Sequence, residues 1–217
     1  MNIETVGQIS QALLTGCLVT LEVSAGALAL AVIWGGLLAS VRFLKPSRLL
    51  DVTVSAYVEL FRNIPTLTHL FIIYFGLAYF GITLPSLAAA ILGLGLIGGA
   101  VMTDVFRAGF QAVPKGQTEA ALAAGLPPLL AFRLVVFPQA LRIILPPMGN
   151  YAVGLVKDTS LVAAISAPEI MFNARQIVNV SFETGLVYGI AALIYLVLTF
   201  GLTAVFALLE RKAAYGQ

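Results

Sequence analysis

The sequence predicts an all-α membrane protein with five transmembrane helices, forming a single transmembrane domain over 1–217. Three observations carry that reading. The chain is 60% hydrophobic and only 10% charged, with a mean hydropathy of +1.00, whereas soluble domains carry roughly a quarter charged residues. Its apolar residues gather into runs long enough for a helix of about 20 residues, the length that crosses a hydrocarbon core. Lysines and arginines cluster on alternate connections between those runs, as the positive-inside rule requires.

The first run covers 13–41 and holds one acid, Glu22, and the lone cysteine, Cys17. A single cysteine forms no internal disulfide, and with one histidine it makes no metal site of the usual kind. The opening MNIETVGQISQA contains an acid and no basic region, so no cleavable signal peptide is expected. The second run, 52–80, is interrupted by RNIP at Arg62 to Pro65. The third is 84–105, the fourth is 143–165 with Lys157 and Asp158 inside it, and the fifth is 186–209 with no charge at all.

Arg42, Lys45 and Arg48 follow the first run; Arg107, Lys115, Arg133 and Arg142 separate the third from the fourth; Arg211 and Lys212 follow the fifth. These mark the cytoplasmic side. The opposite side carries Arg175 with Glu4, Glu169 and Glu183. Five crossings place the N-terminus outside and the C-terminus inside. A net charge of +2 with no basic cluster on a soluble face gives no sign of a nucleic-acid partner.

One stretch, GQTEAALAAGLPPLLAFRLVVFP from Gly116 to Pro138, is neither a span nor an ordinary loop. Pro114 suits the start of a helix, and Gly125 followed by Pro127 suits its end. The helix between them is about 16 Å long, too short to cross. Ala120, Ala121, Ala123 and Ala124 give it a small-faced surface, and Glu119 suits the dipole of its early turns. It reads either as a surface helix linking two spans or as an element on which another protein docks.

Glu119-Ala120-Ala121, then Gly125, then Val135-x-Phe137-Pro138 resembles the EAA loop of ATP-binding-cassette importer permeases. That pattern runs EAA, three residues, Gly, nine residues, Ile-x-Leu-Pro; here Val135 and Phe137 are apolar replacements. FRAGFQAVPKGQTEAA, FPQALRIILPP, KDTSL, FRNIPTL, FIIYFGL and the terminal LLERK look like the permeases for polar amino acids and opines, over nearly the whole chain. One departure precedes Phe106, where many relatives have Ser-Ala-Tyr-x-Ala-Glu and this chain has Gly99 to Asp104.

The resemblance implies the type I importer permease fold in a bacterial inner membrane. Glu119, Ala120, Ala121, Gly125 and Pro138 would belong to a coupling helix seated in a groove of an ATP-hydrolysing subunit. It also implies a second permease (a copy or a sister chain), two ATPases, and a periplasmic solute-binding protein that delivers a polar amino acid or opine. ATP and Mg would sit in the partner, since the chain has no GxxxxGK[ST] and is expected to hold no cofactor of its own.

Ionisable residues within spans line a cavity or pair with one another. Lys157 and Asp158 are adjacent and so do not face each other on a helix. With Thr159 and Ser160 they suggest a break, a new helix starting at Leu161 and its N-terminus aimed at a carboxylate; the other reading is a buried structural network. Arg62 is expected to pair with Glu59, and Asp104 with Arg107, each at i,i+3; the other reading places Arg62 and Asp104, with Glu22 and Lys157–Ser160, along the substrate pathway. Glu22 faces either a dimer interface or a cavity, and His69 reads as a core residue. Gly95 and Gly99 form a GxxxG, with Gly93 and Gly98 beside it, which permits close packing.

Two other classes compete. A self-contained secondary transporter or channel would show internal repeats and more spans, and none is visible. An intramembrane enzyme would need a motif such as GxSxG or HExxH, which the chain lacks.

Overall fold

The computed structural model describes residues 3–45 and 47–215. Side chains at 3–6, 8, 214 and 215 lie outside the described ones, Glu4 among them, as do the extreme ends of the predicted domain. Among the described residues there is no strand.

The helices run α1 (Ile3–Leu44), α2 (Arg48–Asn63), α3 (Thr66–Phe71), α4 (Leu77–Tyr79), α5 (Ser86–Ala112), α6 (Lys115–Ala123), α7 (Pro128–Ala131), α8 (Phe137–Asp158), α9 (Ile170–Ser181) and α10 (Thr184–Tyr215). A π turn over Ile72–Gly76 joins α3 to α4, and another over Phe132–Val136 joins α7 to α8. A 3-10 turn over Thr159–Ile165 continues α8.

Four stretches are long and apolar enough to cross a membrane: Ile9–Leu44, Ser86–Ala112, Pro128–Ile165 and Thr184–Ala213. The second predicted run does not form a single helix. Helix α2 stops at Asn63, and a new helix starts at Thr66 behind Pro65. Proline has no N–H to give and drives the preceding residue out of the helical region, so RNIP ends α2. The sequence marked that interruption; what differs is that four spans are counted, not five. The fourth span also begins earlier than expected, at Pro128, because the π turn carries the helix past Pro138.

The chain forms two compact units. One comprises Met1–Ala29, Ile64–Gly95 and Ala152–Leu202; the other comprises Leu30–Asn63, Leu96–Tyr151 and Thr203–Gln217. In the first, Ile9 and Leu13 of α1, Ile170 and Ala174 of α9, and Val187 and Ala191 of α10 close a buried core. In the second, Ala31 and Ala39 of α1 meet Met102, Phe106 and Phe110 of α5 and Ala140 and Ile144 of α8. The predicted small-residue packing is visible there. A Cβ on Gly99 would lie 2.8 Å from the Tyr57 hydroxyl oxygen and 2.9 Å from Trp34 Cδ1, so α5 needs glycine to meet its neighbours.

Candidate functional site

The EAA segment folds as a short exposed helix. Pro114 caps α6 from outside with φ −55° and ψ 131° instead of opening its first turn, and its carbonyl accepts from the Gln117 N–H at 3.0 Å. The helix is nine residues long. Its end is a Schellman motif. The Leu126 N–H reaches the Ala121 carbonyl at 3.1 Å, the Gly125 N–H reaches Leu122 at 3.0 Å, and Gly125 is left-handed at φ 84°. All of this is backbone bonding inside one segment.

That leaves the side chains uncommitted. Ala121 is buried, while Gln117, Glu119, Ala120, Leu122 and Ala123 are exposed. Glu119 makes no hydrogen bond or ion pair among the described residues. Gln117 is held by Gln139 of α8 at 3.3 Å, and Gln139 also donates to the Val135 carbonyl at 2.9 Å. Pro138 is exposed in the first turn of α8, where a missing N–H costs nothing because the π turn has already shifted the bonding pattern.

Beneath α6 lies an aromatic seat that the sequence reading missed. Phe110 of α5 stands 5.1 Å from Phe132 in a T-shaped arrangement, and Phe43 of α1 lies 5.5 Å from Phe132 and 5.6 Å from Phe110. Phe137 joins at 6.0 Å from Phe132. The signal was present as five-residue spacing. Phe132 and Phe137 are i,i+5, and the Phe137 N–H bonds the Phe132 carbonyl in the π turn. Helical reading by threes and fours passes over such a pair.

The expected Arg62–Glu59 pair is not there. Glu59 accepts from the Asn63 amide at 2.6 Å, while Arg62 reaches Asp104 on α5 at 2.7 Å. Asp104 also takes Arg107 at 3.1 Å, the i,i+3 pair that was expected. One carboxylate thus bridges two guanidiniums. Helix α5 wins because its carboxylate already holds Arg107, and because Glu59 is occupied by the amide one turn on.

The Lys157–Ser160 stretch does not restart a helix. Helix α8 tightens directly into the 3-10 turn, Asp158 is helical at φ −67° and ψ −19°, and its side chain caps nothing. Thr159 donates back to the Val156 carbonyl at 2.7 Å, and Ser160 to Lys157 at 2.8 Å. Hydroxyls bonded backwards leave no free N-terminus to aim at a ligand. The side chains of Lys157 and Asp158 are exposed without a hydrogen bond or ion pair among the described residues, Thr159 is buried and Ser160 is half-buried. Glu22 is likewise exposed on α1 with no partner among the described residues, and His69 is buried on α3.

The break comes later, and the carboxylate that makes it was read as part of an outer loop. Glu169 is 0% exposed and caps α9, accepting from the Phe172 N–H at 2.7 Å and from the Tyr195 hydroxyl at 2.6 Å. Thr20 of α1 accepts from the Ile170 N–H at 3.5 Å. Burial pushes the Glu169 carboxyl above its ordinary range, against the pull of Tyr195 and of the Met171 and Phe172 N–H groups. Asn173 ties the same helix to the Ala12 carbonyl of α1 at 3.1 Å. The predicted pathway residues therefore divide. Glu22 and Lys157–Ser160 belong to one unit, and Arg62 and Asp104 to the other together with Glu119, Ala120, Ala121, Gly125 and Pro138.

A family model described as the binding-protein-dependent transport system inner membrane component matches residues 31–215. The chain is 36% identical over 181 residues to the "Probable amino-acid ABC transporter permease protein YckA" of Bacillus subtilis (strain 168), covering 83% of this chain and 80% of that protein. It is 36% identical over 210 residues to the "Octopine transport system permease protein OccM" of Rhizobium radiobacter, covering 92% and 84%. Among solved structures, the "Crystal structure of an amino acid ABC transporter with histidines" matches with a TM-score of 0.88 at 30% identity, over 98% of this chain and 99% of that one.

Proposed function

The chain belongs to the family of binding-protein-dependent transport inner membrane components, the membrane subunits of ATP-driven importers, and we propose that its cargo is a polar amino acid or an opine. The relatives' names support that cargo. We propose that α6 is the coupling helix, with Glu119, Ala120, Ala121, Gly125 and Pro138 at the contact with a separate ATPase that holds ATP and Mg. The carrying observation is that α6 is closed by its own backbone while Glu119 is exposed and has no partner among the described residues.

The family supports the rest of the proposed assembly. The chain works beside a second permease, a copy or a sister, and receives cargo from a periplasmic binding protein. The run 52–80 is the fifth crossing, and 1–217 is one permease domain with a periplasmic N-terminus and a cytoplasmic C-terminus. In one unit Lys157, Asp158, Ser160 and Glu22 are offered for polar contact with the cargo, and buried Thr159 positions that stretch; in the other, Arg62 and Asp104 are offered for the same role.

The test is a mild-detergent pull-down of the tagged chain from its native membranes with partners identified by mass spectrometry. Recovery of a P-loop ATPase in equal subunit ratio is expected. If the chain is recovered alone, even after crosslinking at Glu119, the coupling reading fails and a self-contained transporter takes its place.

A further inference from the structure

We propose that a cavity of about 330 Å³ at the ends of α1, α2 and α5 is a phospholipid headgroup site, taking the phosphodiester on Arg42 and Arg107. Its walls are Ala39, Arg42, Phe43, Asp51, Arg107 and Phe110, with Gln111 alongside. The volume suits a headgroup better than one or two waters, each of which occupies about 30 Å³.

Depth is the first argument. The apolar run 13–41 stops just before Arg42, the run 52–80 starts just after Asp51, and the run 84–105 stops shortly before Arg107. Three charges from three separate stretches thus converge where hydrocarbon gives way to headgroups on one membrane face. Basic pockets between helices at that depth suit lipid phosphates.

Unfilled hydrogen-bonding capacity is the second argument. Arg42 gives Nε to Asp51 Oδ1 at 2.5 Å, and Arg107 gives one terminal nitrogen to Asp104 Oδ1 at 3.1 Å. No other hydrogen bond engages either guanidinium among the described residues. A guanidinium carries five N–H donors in a planar fork that matches phosphate oxygens, so most of both forks remain open. The second Asp51 oxygen also lacks a donor among the described residues. It would accept from a head that carries an N–H or O–H, such as ethanolamine or glycerol, and gains nothing from choline. Phe43 and Phe110 supply the apolar side toward the lipid body.

The inference depends on membrane embedding and not on the cargo or the ATPase. It is tested on the intact complex, purified in mild detergent and exchanged into nanodiscs of phosphatidylethanolamine, phosphatidylglycerol or phosphatidylcholine, with retained lipid read by native mass spectrometry. We expect about one retained phosphatidylethanolamine or phosphatidylglycerol per permease, and roughly tenfold lower occupancy in Arg42→Gln and in Arg107→Gln, the size of one lost charge-assisted contact. The wild-type preference over phosphatidylcholine needs no variant and stands if either substitution misfolds. Equal retention of phosphatidylcholine, unchanged occupancy in both variants, or displacement by millimolar inorganic phosphate alone would overturn the proposal, the last by revealing a soluble-anion site.

Discussion

Helix α6 and the 3-10 turn over Thr159–Ile165 both interrupt a long apolar stretch, and both end in a left-handed residue, Gly125 at φ 84° and Ser166 at φ 63°. They are held in opposite ways. Helix α6 closes on its own backbone and leaves Glu119 and Leu122 facing outward. The 3-10 turn buries Thr159, Val162, Ala163 and Ile165 and leads into a knot in which Glu169 takes the Tyr195 hydroxyl and Thr20 takes the Ile170 N–H, so that three helices are tied together. A segment that satisfies itself locally can offer its side chains to a partner. A segment held by tertiary bonds is fixed in place and offers little.

The largest effect that would break this contrast lies in the knot. Glu169→Ala strips the cap from α9 and leaves the half-buried Tyr195 hydroxyl without its carboxylate. The cap contributes about 1 kcal/mol and a stranded buried polar group costs about 1–3 kcal/mol, so a loss of about 2–4 kcal/mol is expected. It should appear as a lower thermal midpoint in mild detergent. Glu169→Gln keeps an acceptor for the Phe172 N–H and should lose less than half as much. Equal losses in the two variants would mean that the charge, not the cap, holds the break.

The next effects should be functional and leave the fold alone. Glu119 is exposed and its side chain bonds nothing among the described residues, so Glu119→Ala should leave the midpoint unchanged while substrate uptake falls about tenfold, the scale of one truncated interface contact. Gly125→Trp projects bulk from the turn that closes α6, and uptake should drop at least as far while the ATPase keeps turning over. A lowered midpoint in Glu119→Ala, or full uptake in both variants, would place α6 among the fixed segments.

The same distinction explains what the sequence disclosed. The α6 helix was legible because its determinants are local: Pro114, Gly125, Pro127 and a run of alanines set its ends and its surface without reference to the rest of the chain. The long spans were legible for a similar reason, since length and apolarity act residue by residue. The knot was not. Nothing near Glu169 in sequence announces Tyr195 or Thr20, and a carboxylate between two apolar runs reads as loop. Arg62 failed in the same way, because its partner Asp104 lies 42 positions on while Glu59 stood at helical spacing. Phe132 and Phe137 were hidden by a period of five that only the π turn makes meaningful.

The two left-handed residues allow the smallest and cleanest comparison. Gly125 has nothing within 4 Å of where a Cβ would sit, so Gly125→Ala adds backbone strain without a clash, worth about 1 kcal/mol. Ser166 occupies the same region with a side chain that is exposed, so Ser166→Gly relieves strain and loses no contact. Glycine also loosens the unfolded chain, which offsets part of the gain and leaves about 0.5 kcal/mol of stabilisation. The two midpoints should therefore move in opposite directions. If Ser166→Gly lowers the midpoint instead, the serine is holding the turn by more than its backbone, and the fixed segment depends on one more side chain than Glu169, Tyr195 and Thr20.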